Sequence, residues 1–376
     1  MDKIFLDNNS TTPIDSDVLE EMIPFFKTKF GNSSSKTHSF GWEAEASVEI
    51  AREQIANLIH CQSNQIVFTS GATESNNIVL LNTLNQDKKH IITMNTEHKA
   101  IIDICNHLNK SHDIDITYMN PNKNGIVDIE KLTKLISNKT YLVSIMHANN
   151  EIGVVQPIEK IGEICKENNI LFHVDAAQSL GKIDINVKKM NIDFLSISGH
   201  KVYGPKGIGA LYYNHRIKPI IYGGNQEKSI RPGTLPVPLI VGFGKACQIA
   251  KYIMKSESKK ILKLRNLLLE KILNKYPNTI VNGDNKNRIA GNLNLSFPIL
   301  NGQSIVTSMS KIAISSGSAC TSSSPKPSHV LIALGLSKKL ANSSIRVGIG
   351  RFNTKNEILI AAQEIIDCIE RKSNVK

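Results

Sequence analysis

Short apolar runs recur between residues 65 and 212, separated by stretches with helical spacing, and this alternation constrains the fold more than any other feature. The runs are 65–70, 91–93, 116–118, 141–145, 171–174, 194–197 and 209–212. Strands buried on both faces read as near-continuous apolar segments, and helices cross between parallel neighbours. An α/β chain is therefore expected, with a large domain on a mostly parallel seven-stranded sheet. Residues 239–254 read as a helix leading out of that domain, and the charged stretch 255–260 as a boundary. Ile261, Leu264, Leu268 and Ile272 then share one helical face. Strand-like residues 293–297 and a final helix from about Lys355 predict a small α+β C-terminal domain. The large domain is placed at residues 15–256, and the small one at 1–14 together with 257–376. With 376 residues and 41% hydrophobic content, the chain is long enough to bury two such cores.

Charge and cysteine usage narrow the function classes. A net charge of +12 would suit nucleic acid, but the basic residues fall in scattered pairs such as Lys88-Lys89 and Lys259-Lys260, and aromatic content is only 5%. Stacking platforms are scarce, so no direct nucleic-acid binding is expected. A lysine-rich surface would instead favour acidic proteins or anionic substrates. No run approaches the ~18 apolar residues that cross a bilayer, and the start carries neither an apolar nor an arginine-rich leader, so no membrane contact is expected. Cysteines 61, 105, 165, 247, 320 and 368 form no C-x-x-C pair and no His/Cys spacing suited to zinc, so no metal is expected. Free thiols fit a reducing compartment, which points to a cytoplasmic protein.

The chemistry-bearing residues fall at the ends of the runs. One run ends at Asp175, with Gln178 three residues on, and the next ends at Ser198-Gly199-His200-Lys201. Ligands of open parallel sheets sit outside the carboxyl ends of the strands. A lysine amine condenses with an aldehyde, and a carboxylate keeps a pyridine nitrogen protonated, so the pair suits pyridoxal 5′-phosphate as an electron sink. Taken singly, Asp175 reads as a helix cap and Lys201 as a solvated lysine; their joint placement favours the cofactor. Upstream, the run at 65–70 passes through Gly71-Ala72-Thr73 into a helix, where small residues and the helix dipole suit a phosphate. Finally, Cys320 stands in a Ser-rich stretch, 315–327, unusual for a residue that prefers burial. A thiol on such a loop could reach into a pocket as a nucleophile, or the stretch could be a linker with an incidental cysteine.

Across almost its whole length the chain resembles the group I cysteine desulfurases, in the aminotransferase class V branch of the fold type I pyridoxal-phosphate enzymes. The motifs that carry the resemblance are Leu6-Asp7-Asn8-Asn9-Ser10-Thr11-Thr12-Pro13, Thr69-Ser70-Gly71-Ala72-Thr73-Glu74-Ser75 and Thr96-Glu97-His98-Lys99. They continue with Asn149-Asn150-Glu151-Ile152-Gly153, His173-Val174-Asp175-Ala176-Ala177-Gln178, Ser198-Gly199-His200-Lys201, Arg231-Pro232-Gly233-Thr234, Ser316-Gly317-Ser318-Ala319-Cys320 and Ser344-Ile345-Arg346.

The resemblance implies that Lys201 forms the Schiff base, Asp175 pairs with the pyridinium nitrogen, Gln178 and Asn150 contact the phenolic-oxygen side, and His98 stacks on the ring. Ala72, Thr73, Ser198 and His200 would hold the phosphate, joined by Thr234 from the second subunit of a homodimer. Arg346, with Asn150, would hold the carboxylate of L-cysteine. Lys201 would then move the α-proton and Cys320 would take the sulfur, with His98 handling the thiol's proton. The products would be L-alanine and a persulfide destined for an iron–sulfur scaffold protein or a tRNA-thiolation acceptor. Two departures are Pro232, where relatives commonly carry a small residue, and an end at Lys376 soon after the final helix. The rival readings are a selenocysteine lyase or another class V lyase or aminotransferase, which would not need Cys320, and a basic RNA-binding protein that has kept only the fold.

Overall fold

The computed structural model describes residues 3–316 and 327–373. Twelve strands occur among these residues: β1 (Ile4–Phe5), β2 (Ile66–Thr69), β3 (His90–Met94), β4 (Asp115–Met119), β5 (Thr140–Ser144), β6 (Leu171–Asp175), β7 (Phe194–Ser198), β8 (Gly209–Tyr213), β9 (Ile280–Val281), β10 (Asn292–Ser296), β11 (Ile312–Ala313) and β12 (Ser344–Gly348). The main sheet has seven strands in the order β2-β8-β7-β6-β5-β3-β4. Every pairing in it is parallel except those of β8, which runs antiparallel to both β2 and β7. The seven apolar runs of the sequence are these seven strands. Both faces are covered by helices, so β2, β3 and β7 are buried at every position.

A second core forms around β10 and β12, whose residues Leu293, Leu295, Ile345 and Val347 pack against Ile358, Ile365 and Ile369 of the final helix, Lys355–Ser373. The chain's start joins this core: β1 pairs in parallel with β11, bringing Ile4 beside Ile312. Local periodicity carries no signal for a pairing between residues three hundred positions apart.

The charged stretch 255–260 lies within a helix, between the part that packs in the first core and the part that packs in the second. One helix, Val237–Lys275, runs unbroken for 39 residues, contributing Ile240, Phe243 and Ala250 to the first core and Ile261, Leu264, Leu268 and Ile272 to the second. Lys, Glu and Ser are compatible with a helix, and no Pro interrupts the chain past Pro238. The lysines there mark a solvated face of a helix shared by both cores. Among the described residues, no helix is long and apolar enough to cross a membrane.

Candidate active site

The carboxyl ends of β2, β6 and β7 open onto a cavity of about 580 Å³, within the size range of cofactor sites. Asp175, the last residue of β6, is 6% exposed. Its Oδ2 accepts from Asn76 Nδ2 at 2.8 Å and its Oδ1 from the Ala177 amide at 3.0 Å. Part of the carboxylate thus serves the local turn, with no helix following β6 for it to cap, while the side chain still faces the cavity. Asn76 is the partner that the sequence did not reveal. It lies one turn into the helix Ala72–Leu81, so only the packing of that helix against β6 and β7 brings the two together.

Lys201 closes a short 3-10 turn after β7, and its Nζ donates to the carbonyls of Asn9 and Ser10 at 2.8 and 2.5 Å. Gln178 reaches the same N-terminal segment, its Nε2 donating to Asn9 O at 2.7 Å. His200 Nδ1 lies 3.0 Å from Thr11 Oγ1. Burial, with Lys201, Lys206 and Lys182 nearby, pushes this imidazole down to about 4, so it is neutral at physiological pH.

The phosphate turn is built by close backbone approach. A Cβ on Gly209 would lie 2.6 Å from Gly71 Cα, so β8 packs directly beneath the turn. Ala72 and Thr73 open the helix, whose N-cap, Gly71, supplies no side-chain bond, leaving the first-turn amides turned toward the cavity mouth. Glu74 holds the turn from behind, accepting from Ser70 N at 2.5 Å and from Arg231 Nε at 2.9 Å.

His98 caps the helix Lys99–His112, its Nδ1 accepting from Ala100 N at 3.1 Å. Burial lowers its pKa, with Lys201 and His329 adding to the effect and Asp175 opposing it. A neutral imidazole that accepts at Nδ1 carries its proton on Nε2. Across the cavity, Arg346 in the middle of β12 donates from Nη2 to Asp7 Oδ1 at 2.8 Å and from Nη1 to Asn150 O at 3.2 Å. Its Nε is buried and has no partner among the described residues.

The structure therefore brings Ala72, Thr73, His98, Asn150, Asp175, Gln178, Ser198, His200, Lys201 and Arg346 to one cavity. Thr234 does not line the cavity of its own chain. Cys320 lies outside the described residues. The flanking positions, however, are tied to a lining residue or to a chain neighbour of one: Ser315 Oγ donates to Asp7 Oδ2 at 2.7 Å, Ser328 Oγ to the carboxylate of Glu151, next to Asn150, and His329 Nε2 lies 2.9 Å from the carbonyl oxygen of Glu97, next to His98.

These donors fit pyridoxal 5′-phosphate. Asp175 is a buried carboxylate with no ion pair among the described residues, which suits a protonated pyridine. The Gly71 turn offers amides to a phosphate, and Lys201 offers an amine between them. An α/β sheet with this site defines a fold type I pyridoxal-phosphate enzyme. The aminotransferase class-V family pattern matches residues 4–360, and the chain belongs to that family. It is 53% identical to "Cysteine desulfurase IscS" of Ehrlichia chaffeensis over 98% of this chain and 91% of that one. Among solved structures it is similar to a "NifS-like protein" at 36% identity and a TM-score of 0.90, covering 98% of this chain and 100% of that one. It is also similar to "SspA in complex with cysteine" at 38% identity and a TM-score of 0.82, covering 93% and 100%.

Proposed function

We propose that this chain is a pyridoxal 5′-phosphate-dependent cysteine desulfurase that converts L-cysteine to L-alanine and leaves a persulfide on Cys320. The observation that carries the reading is the meeting of Lys201, Asp175 and Arg346 at one cavity from three distant parts of the sequence. When bound, the cofactor supplies an electron sink for the substrate's Cα and Cβ.

The chain's own residues do the rest. Lys201 Nζ would hold the cofactor's aldehyde end and, once released from it as the substrate amine takes its place, takes the substrate's α-proton. Asp175, fixed by Asn76, holds the pyridine nitrogen in its protonated form, with Gln178 and Asn150 on the phenolic-oxygen side. Ala72, Thr73, Ser198 and His200 hold the phosphate, and the neutral imidazole of His200 does so as a hydrogen-bond donor from Nε2. Arg346 holds the α-carboxylate, which satisfies its unpartnered Nε. Cys320 Sγ attacks the substrate sulfur: an S–S bond forms, the Cβ–S bond breaks, a proton reaches Cβ, and Lys201 returns the α-proton to Cα to complete alanine. His98 carries the thiol's proton; to take one at Nδ1 it must release the Ala100 amide.

The working unit is a homodimer in which Thr234 completes the partner's phosphate site. Supporting this are its absence from its own chain's cavity and the exposed Phe26, Phe30, Phe40 and Trp42 in the N-terminal part of the chain. The persulfide passes to an iron–sulfur scaffold or a tRNA-thiolation acceptor in the cytoplasm. The five described cysteines, all unpaired, fit a reducing compartment.

Purified protein given L-cysteine should release alanine and, with a reductant, sulfide in equal amounts. Cys320→Ser should keep the yellow cofactor and lose both products, and Lys201→Ala should lose the chromophore of the lysine-bound form. Sedimentation should give twice the chain mass. Full turnover by Cys320→Ser, or by a monomer, refutes the corresponding part of the reading.

A further inference from the structure

Asp7 shares the cavity with Arg346, and both oxygens of its carboxylate are engaged. Oδ1 accepts from Arg346 Nη2 at 2.8 Å and Oδ2 from Ser315 Oγ at 2.7 Å. A β-bridge to Gly348 fixes its backbone two residues from Arg346 along β12. The arginine side chain is 4% exposed and the aspartate 15%, so neither charge is strongly screened by solvent. The carboxylate-binding side of the cavity thus holds a cation whose charge is already balanced, together with one buried donor, Nε, that has no acceptor among the described residues.

We propose that Asp7 is a specificity-determining residue: it aims the Arg346 fork and, by balancing its charge, turns away amino acids whose side chain carries a second acidic group. The inference rests on the reading that Arg346 holds the substrate's α-carboxylate. One such carboxylate completes the fork at Nε. A second carboxylate or sulfinate would enter a cavity that holds the Asp7 and Asp175 carboxylates beside the Lys201 and Lys206 ammonium groups, and next to Arg346 it would meet the Asp7 carboxylate, which at 15% exposure is poorly screened by solvent. The neutral thiol of cysteine meets no such penalty. Arg346 alone, without its aspartate, would attract a dianion more strongly than a monoanion.

The test uses the holoenzyme, with L-alanine and L-aspartate titrated against the cofactor's absorbance in the wild type, Asp7→Asn, Asp7→Ala and Arg346→Gln. Asp7→Asn should tighten L-aspartate relative to L-alanine by about tenfold or more, since it deletes a unit charge at a desolvated site. Cofactor content should stay at its wild-type value even where the melting temperature falls because Arg346 loses its buried partner, and KM for L-cysteine should change more than kcat. An unchanged aspartate-to-alanine ratio overturns the proposal. So does loss of cofactor together with a fall in melting temperature, which would make Asp7 merely structural. Asp7→Ala gives the same readout should the asparagine variant not fold. Arg346→Gln should weaken both ligands. If it weakens neither, the assignment of Arg346 fails and this inference with it, a result distinct from an unchanged ratio in Asp7→Asn alone.

Discussion

Glu151→Gln isolates the contribution of one buried proton to stability. Glu151 is 4% exposed, with its carboxylate accepting from Ser328 Oγ. Burial pushes its carboxyl from 4.5 up to about 7, against the opposing effects of the Ser328 hydroxyl and Arg346. Because the folded-state value is raised, the stability it confers is fully present below about pH 4.5 and is lost as pH rises through about 7. At about 1.4 kcal/mol per unit, the shift corresponds to roughly 3 kcal/mol at pH 8. Glutamine keeps an oxygen for Ser328 and cannot ionise, so the variant should be more stable than wild type at pH 8 and close to it at pH 4.5. With unfolding entropy near ~2.1 cal/mol/K per residue, a chain of this length converts that difference to a melting-temperature gap of about 4 °C. The assay is a pair of thermal melts at the two pH values on cofactor-saturated protein. Every other titrating group is common to both proteins, so the pH dependence of the gap reports Glu151 alone. A gap that is the same at pH 4.5 and pH 8, or a wild type more stable than the variant at pH 8, refutes the reasoning.

Two further perturbations probe the frame around the cavity. Arg52 meets Glu227 through two bonds of 2.7 and 2.8 Å in a buried pair that also holds the Phe68 amide, and Glu227 begins three consecutive residues of positive φ. Arg52→Ala should cost about 3–5 kcal/mol in chemical denaturation, because the carboxylate is left buried and alone; a loss below about 1 kcal/mol would show the pair to be dispensable. Gly209→Ala would place a Cβ 2.5 Å from Ile197 O and 2.6 Å from Gly71 Cα, backbone atoms that cannot rotate away. Cofactor retention on dialysis should weaken by about tenfold, equivalent to ~1.4 kcal/mol, and unaltered retention would show that the phosphate turn tolerates displacement.

The strands of the main sheet were legible in the order of residues, since a strand buried on both faces reads as a near-continuous apolar run. The sequence also placed Asp175, Gln178, Ser198 and Lys201 at strand ends, where a parallel sheet opens to ligands, and it marked Gly71 as the turn before a helix. The charged stretch at 255–260 lies where the long helix passes from one core to the other, but residue order did not show that the helix continues through it, because charge on the solvated face of a helix looks the same as a helix end. Which residues meet across the chain was set by the packing of distant elements. Asn76 supports Asp175 over 99 positions, and Asp7 reaches Arg346 over 339. The β1–β11 pairing carries that N-terminal segment to the cavity. Local periodicity records which face of an element is buried, but the partner on that face is fixed by packing and long-range hydrogen bonds, which leave no periodic trace in sequence order.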